Sequence, residues 1–157
     1  MKLTYKMALL GTLLITAWGS GGCAGSQLGA AGAAPGADWL SWRGPTQDGA
    51  YRGPALPTDL SLGGPSHRWT AALPGGGTPV ISGQALYVMA TRGEGEAMVE
   101  VLAAVDASTG DVLWERRFPD FLSDIIYERY AIGSPAIHEA SDTVLAFTSA
   151  GVLWAHD

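Results

Sequence analysis

The chain has 157 residues, enough for one ordinary domain; charged residues are only 15% of it, while Gly (22), Pro (9) and Trp (6) are plentiful. That composition belongs to short strands joined by tight turns and excludes a helical bundle, which would draw on Glu, Lys, Leu and Ala at helical spacing. The formal charge is −6, and without Lys2 and Lys6 seven arginines face fifteen carboxylates, leaving −8; an acidic surface with no basic stripe repels phosphate backbones, so no nucleic-acid partner is expected. One Cys, at position 23, excludes intramolecular disulfides and Cys-based metal knuckles.

Residues 1–23 read as an export signal. Lys2 and Lys6 form a positive start, and Met7 to Trp18 is an apolar run too short to span a bilayer as a helix, which takes roughly 20 residues. Ser20-Gly21-Gly22-Cys23 follows at once. Small residues before a Cys at this point resemble the lipobox of bacterial lipoproteins, in which the Cys is lipidated and becomes the new N-terminus. Ser20 stands where that pattern has Leu, Val or Ile. The alternative is ordinary cleavage near Gly19 or Gly22, with Cys23 left as a free thiol. With lipidation at Cys23, the expected location is the cell envelope, with the membrane engaged through the N-terminal lipid. Ala24, where an Asp would favour inner-membrane retention, leans toward the outer membrane. Residues 24–37 are rich in Ala and Gly and carry no charge or apolar periodicity. They read as a tether of about 20 Å root-mean-square reach.

From Asp38 onward the signals are β and turn. Residues 38–77 form an N-terminal strap and first strand: Trp39 and Trp42 lead into Arg43-Gly44-Pro45, Asp48-Gly49 marks a turn, and His67 to Ala71 is a short strand candidate. Residues 78–117 hold four strands: Pro79 to Ser82, Ala85 to Met89, Ala97 to Val105 and Asp111 to Arg116, with Val112 and Trp114 expected on one face by period two. Residues 118–132 read as an inserted loop, in which Phe121, Leu122, Ile125 and Ile126 at helical spacing allow a turn or two of helix. Residues 133–157 begin a further set at Gly133 to Ile137, continue through Thr143 to Thr148 and end with Gly151 to Asp157.

The two sets repeat. Thr78-Pro79-Val80-Ile81 aligns with Ser134-Pro135-Ala136-Ile137, Leu86-Tyr87-Val88 with Val144-Leu145-Ala146, and Leu102 to Asp106 with Leu153 to Asp157. The offset is 56 residues at the first anchor and 51 at the last, and the insertion accounts for the excess over the roughly 40–50 residues of a four-stranded propeller blade. Within the first set lies Ala104-x-Asp106-x-x-Thr109-Gly110-x-x-x-Trp114. Here Asp106 can accept hydrogen bonds from turn amides, Thr109 adds a local acceptor, and Gly110 supplies a positive φ. Trp114 can then pack between neighbouring blades with its indole N–H on a backbone carbonyl.

This motif resembles the tryptophan-docking motif of quinoprotein-type β-propellers, the family that includes pyrroloquinoline-quinone (PQQ) dehydrogenases. Trp39-x-x-Trp42-Arg43-Gly44-Pro45-x-x-Asp48-Gly49 is similar to the opening motif of secreted PQQ-like propeller proteins, and Trp69, Thr78 to Ile81 and Tyr130 to Pro135 are similar to segments that follow it there. The resemblance implies an all-β fold, a partial β-propeller of about one and a half four-stranded antiparallel blades. Family members close rings of seven or eight blades, so this chain is expected to be an N-terminal fragment, with blade two incomplete and an edge prone to aggregation.

The resemblance has two functional readings. One is a non-catalytic binding or scaffold lipoprotein with a protein partner, similar in kind to the propeller of the outer-membrane β-barrel assembly machinery. The other is the N-terminal part of a periplasmic PQQ-dependent alcohol or sugar dehydrogenase. That family's adjacent cysteine pair is absent, and its catalytic and Ca²⁺-binding residues fall in later blades. No catalytic, cofactor-binding or metal residue is therefore assigned, and PQQ is expected only in a full-length relative.

Other clusters have plainer readings. Glu94, Glu96 and Glu100 lack the ligand spacing of a Ca²⁺ loop, and Gly93 to Glu96 reads as a solvated hairpin loop between two strands; Gly75-Gly76-Gly77 is a turn with no phosphate-binding Lys, and His67, His138 and His156 show no paired spacing. Ser134-Pro135 lacks the context of a nucleophile elbow. Trp39, Trp42 and Arg43 form either a ligand or partner patch, or a strap packed on the domain with Arg43 stacked on a Trp face. Arg129 and Tyr130, just ahead of an innermost strand, are placed to line the mouth of a closed ring.

Overall fold

Alternating apolar residues between Gly-bearing turns produce seven strands in two open antiparallel sheets in the computed structural model, which describes residues 38–119 and 130–157. The signal, Cys23, the tether, the helical candidate of the insertion and Arg129 lie outside the described residues. The first sheet joins β1 (Val80–Ser82), β2 (Ala85–Arg92), β3 (Val99–Asp106) and β4 (Val112–Phe118) in chain order. The second joins β5 (Ala136–His138), β6 (Thr143–Phe147) and β7 (Leu153–His156), again in chain order. The fold is all-β, and the described residues include two single-turn 3₁₀ segments, Gly95–Ala97 and Glu139–Ser141.

Four strand expectations need correction. Residues 67–71, a strand candidate in the sequence, belong to no strand. Residues 95–97 form a 3₁₀ turn, so β3 starts at Val99 and not at Ala97. Phe118 belongs to β4 and not to the insertion, because it pairs with Glu100 across the ladder. Val112 and Trp114 do not share a face: a bulge places Val112 opposite Val105 and Trp114 opposite Ala104. An extra residue in one strand breaks the period of two, which sequence alternation alone cannot register.

The residues aligned by the repeat also pair alike. Tyr87↔Ala104 and Val88↔Ala103 in the first sheet become Leu145↔Ala155 and Ala146↔Trp154 in the second. Val80↔Tyr87 likewise becomes Ala136↔Leu145. The same positions therefore point the same way in both sheets, and the sheets stack front to back. The front of the first sheet presents Tyr87, Met89, Leu102, Trp114 and Phe118. It packs on the back of the second, which presents Ile137, Val144, Ala146 and Trp154.

Rings complete the seam. Trp114 meets His156 edge-on at 4.8 Å, Phe118 meets Trp154 edge-on at 5.7 Å, and the Arg116 guanidinium sits 5.4 Å above the Trp154 ring. Such aromatic contacts add about 0.5–1.5 kcal/mol each beyond the area they bury. The approaches to the first strand of each sheet meet too: the Thr78 amide donates to Ser134 Oγ at 2.9 Å, joining the matched small residue–Pro positions of the repeat.

One charged side chain lies inside this seam. Glu100, 2% exposed, accepts from the Ala131 amide and, across the β6–β7 turn, from the Ser149 amide and hydroxyl. A buried carboxylate is tolerable only when its oxygens are satisfied, and these bonds tie the segment leading into β5 and the β6–β7 turn to β3. The hairpin loop ends at Met98, and Glu100 in β3 points inward.

Glu100→Ala leaves the buried Ala131 amide and the part-buried Ser149 amide and hydroxyl without this acceptor, and is expected to lower unfolding free energy by about 2–3 kcal/mol. Glu100→Gln, which keeps one carbonyl acceptor, is expected to cost less. Urea denaturation followed by Trp fluorescence measures both; equal stability of Glu100→Ala and wild type would show that the clamp carries no load.

Candidate binding surface

The strap places two of the predicted surface residues structurally. Trp39 and Ile81 exchange backbone hydrogen bonds at 3.0 and 2.9 Å, and the carbonyl of the next residue, Leu40, accepts from the Ile137 amide at 2.8 Å. One short segment thus bonds the innermost strand of each sheet. Gly44 turns directly over the Trp39 ring: a Cβ there would sit 2.7 Å from it, and φ is +74°. Arg43 does not stack on a tryptophan; its guanidinium donates to the Asp48 carbonyl at 3.2 Å, closing the turn that Gly49 completes. The Asp48 carboxyl is held well below the usual range by Arg52, then by the Thr46 hydroxyl and the Ala50 amide. Trp39 and Arg43 are therefore committed to the strap's own structure.

Trp42 and Tyr130 are brought to one surface. Trp42, 65% exposed, lines a groove of about 460 Å³ with Gly76, Thr78, Ile132 and Ser134. Tyr130 lines an adjoining groove of about 320 Å³ with Pro74, Thr91, Met98 and the same Ile132. A third, of about 430 Å³, lies between Ile132 and Phe147, Thr148 and Ser149. Ile132 and Phe147 are each 57% exposed, so the common rim of the grooves is apolar. This surface sits where β1 and β5 begin. Gly76 and Gly77 both donate to the Ala131 carbonyl there, at 3.1 and 2.9 Å, and a Cβ on Gly77 would sit 2.3 Å from the Gly133 carbonyl oxygen.

Its chemistry is aromatic, apolar and hydroxyl, the composition of a recognition surface. Among the described residues, no three His, Cys, Asp or Glu gather closely enough to hold a metal ion. Sequence reasoning missed Ile132, whose importance comes from three loops converging on it.

The docking motif adopts a tight turn. Asp106 Oδ1 accepts from the Ser108 amide and hydroxyl and the Thr109 amide at 2.5–3.0 Å; Thr109 Oγ1 accepts from the Asp111 amide at 3.2 Å. Gly110 has φ +82°. These bonds, the Ser108 hydroxyl first, hold the Asp106 carboxyl below its ordinary value of 3.8. The indole docked on this turn is not that of Trp114, which finds no hydrogen-bond acceptor among the described residues. It is that of Trp69, whose Nε1 donates to the Ala107 carbonyl at 3.0 Å and whose ring lies 2.6 Å from the position of a Cβ on Gly110. Arg92 fastens the same stretch of strap, pairing with Glu115 across the back of the first sheet and donating to the Ala72 carbonyl. The available sequence signal was the match of Trp69-x-x-x-Leu73-Pro74 to Trp114-x-x-x-Phe118-Pro119.

No protein-family profile matches the chain, and no curated protein or solved structure matches it.

Gly110→Ala brings both a strained backbone and a clash with Trp69, whereas a Cβ at Gly83 (φ +57°) meets nothing. Thermal unfolding is expected to show Gly83→Ala losing about 1 kcal/mol and Gly110→Ala at least twice that; equal losses would show that Trp69 does not occupy the turn. Because Asp106 has a folded pKa below its unfolded one, its stabilisation is complete above the ordinary carboxylate value and is lost as pH falls toward and through the lowered one. Asp106→Asn is thus expected to lie closer to wild type in thermal stability at about pH 3 than at about pH 7. A difference that does not shrink in acid would assign no role to the ionised carboxylate.

Proposed function

We propose that this chain is the N-terminal part of a PQQ-like β-propeller repeat protein of the bacterial cell envelope, anchored by lipid on Cys23. It serves as a non-catalytic binding or scaffold protein, and the surface around Ile132 is where it meets a protein partner. One observation carries this reading: two sheets whose matched residues pair in the same register, stacked front to back, with the Asp106–Gly110 turn closing the β3–β4 hairpin of the first. Radial repetition of such a unit is the design of a propeller, in which the starts of the innermost strands face the axis. The Trp42–Ile132–Tyr130 surface lies at those starts, and an aromatic and aliphatic centre rimmed by hydroxyls suits a protein surface. An Ala/Gly-rich tether between lipid and domain gives the domain freedom to reach a partner in the envelope.

Two measurements in a bacterial host test this. Incorporation of a palmitate analogue and fractionation with the envelope are expected for wild type and not for Cys23→Ser; an unlabelled, cytosolic wild-type chain would overturn the location. A photo-crosslinking residue at position 42 is expected to trap one discrete envelope protein, several-fold less when Ile132→Asp is also present. Trapping unaffected by that change would remove the surface from the function.

A further inference from the structure

Ala131 holds a backbone conformation that its own side chain disfavours. Its φ is +51°, in the left-handed region, where a Cβ crowds the following carbonyl oxygen. Among the described residues, Gln47 and Asp142 are the other non-glycines with positive φ, and each has a local cause. Gln47 is exposed and its side-chain amide donates to the Gly44 carbonyl at 2.6 Å; Asp142, also exposed, ends the Glu139–Ser141 turn, where Asp tolerates this region. Ala131 is 1% exposed and has no polar side chain to bond nearby backbone. Only groups from elsewhere in the fold can hold it there. Backbone strain fixed by tertiary contacts gathers at binding and switch regions.

The groups that hold Ala131 come from both sides of it. Its amide donates to the Glu100 carboxylate, and its carbonyl accepts from the Gly76 and Gly77 amides at 3.1 and 2.9 Å. Its methyl belongs to the buried cluster of Met89, Leu102 and Val144. The flanking residues, Tyr130 and Ile132, line the grooves of the candidate surface. The same carboxylate reaches two further walls. Glu100 Oε2 accepts from the Ser149 amide at 2.8 Å, and Ser149 lines the third groove opposite Ile132. Thr91, a wall of the Tyr130 groove, is the ladder partner of Glu100 across β2 and β3. One buried side chain near the start of β3 is thus joined to the segments that shape the surface.

We infer that Glu100 is the positioning residue of this surface: by bonding the Ala131 amide it keeps Ala131 left-handed, and that conformation sets Tyr130 and Ile132 where a partner meets them. The carboxylate is 2% exposed and acts through Ala131, not by touching the partner. Its part is preorganisation, which spares a partner the cost of ordering the segment. When the carboxylate is lost, the Ala131 amide loses its acceptor inside the seam and the residue relaxes toward negative φ. The Ala131 carbonyl then turns away from Gly76 and Gly77, and the two approaches whose meeting forms the grooves separate. The inference rests on the Ile132 surface as the place of partner contact and adds to that reading the residue that shapes it.

Glycine gives the test its specificity, because it takes a left-handed φ with no Cβ penalty. In the full chain carrying Cys23→Ser in mild detergent, native-state amide hydrogen exchange reads the segment without any partner. Glu100→Gln is expected to speed exchange of the Gly76 and Gly77 amides about tenfold or more and to leave the β2–β3 ladder amides within about twofold of the parent. Adding Ala131→Gly is expected to return Gly76 and Gly77 most of the way to the parent rate. Acceleration spread evenly over the chain would make Glu100 a general stabiliser and overturn the inference. Unchanged Gly76 and Gly77, or no recovery with Ala131→Gly, would break the link through Ala131 and overturn it equally. In the bacterial host, below the melting temperature of every variant, the photo-crosslinker at position 42 is expected to trap several-fold less partner with Glu100→Gln and near the parent amount with both changes. Trapping unmoved by Glu100→Gln would show that the partner does not meet this geometry, and the inference fails. A parent that traps nothing sinks the partner site itself, and the exchange pattern alone then decides whether Glu100 sets the segment.

Discussion

The structure depends on burying the front of one sheet against the back of the next. A three- or four-stranded sheet of this length has too little apolar surface to stand alone in water, and each sheet here has large residues on the shared seam. Met89 and Leu102 are fully buried there, each contributing about 2–3 kcal/mol of transfer free energy. Stacking front to back, unlike the symmetric facing of a sandwich, leaves one apolar front uncovered at one end and one back to be covered at the other. Much of the rest of the molecule follows from that asymmetry.

At the covered end the strap does the work. Trp69 caps the β3–β4 turn, Arg92 and Glu115 hold the chain across the back, and Trp39 and Leu40 bond the inner strands of both sheets. Within the seam, Glu100 gives direction where apolar packing has little. Its oxygens demand donors at set positions, so the loops carrying Ala131 and Ser149 have one placement that satisfies them and many that would strand a buried charge. A carboxylate so placed is weak evidence for net stability. It fits better as a device fixing how the second sheet sits on the first.

The surface around Ile132 arises at the same junction. Two Gly-rich approaches, Gly75 to Gly77 and Gly133, come close because Gly77 carries no side chain where the Gly133 carbonyl passes, and Gly133 none where the Phe147 carbonyl passes. That close approach lines up the starts of β1 and β5, and the aromatic residues flanking them, Trp42 and Tyr130, are thereby set around one exposed aliphatic centre.

Much of this was legible in the sequence because it is local or periodic. Turn residues located the hairpins, and alternation located the strands. The repeat of small residue–Pro–apolar–apolar marked which residues of the two sets occupy matching positions, and those positions share one pairing register in the two sheets. What the tertiary structure alone decided concerns contacts between residues far apart in the chain. Nothing local pairs the Glu of an apolar strand with donors 31 and 49 residues away. The bulge at Val112 reversed one face assignment. Trp69 rather than Trp114 occupies the docking turn, because which tryptophan lies behind the first sheet depends on the path of the strap, and that path is set by long-range packing rather than by local residue type.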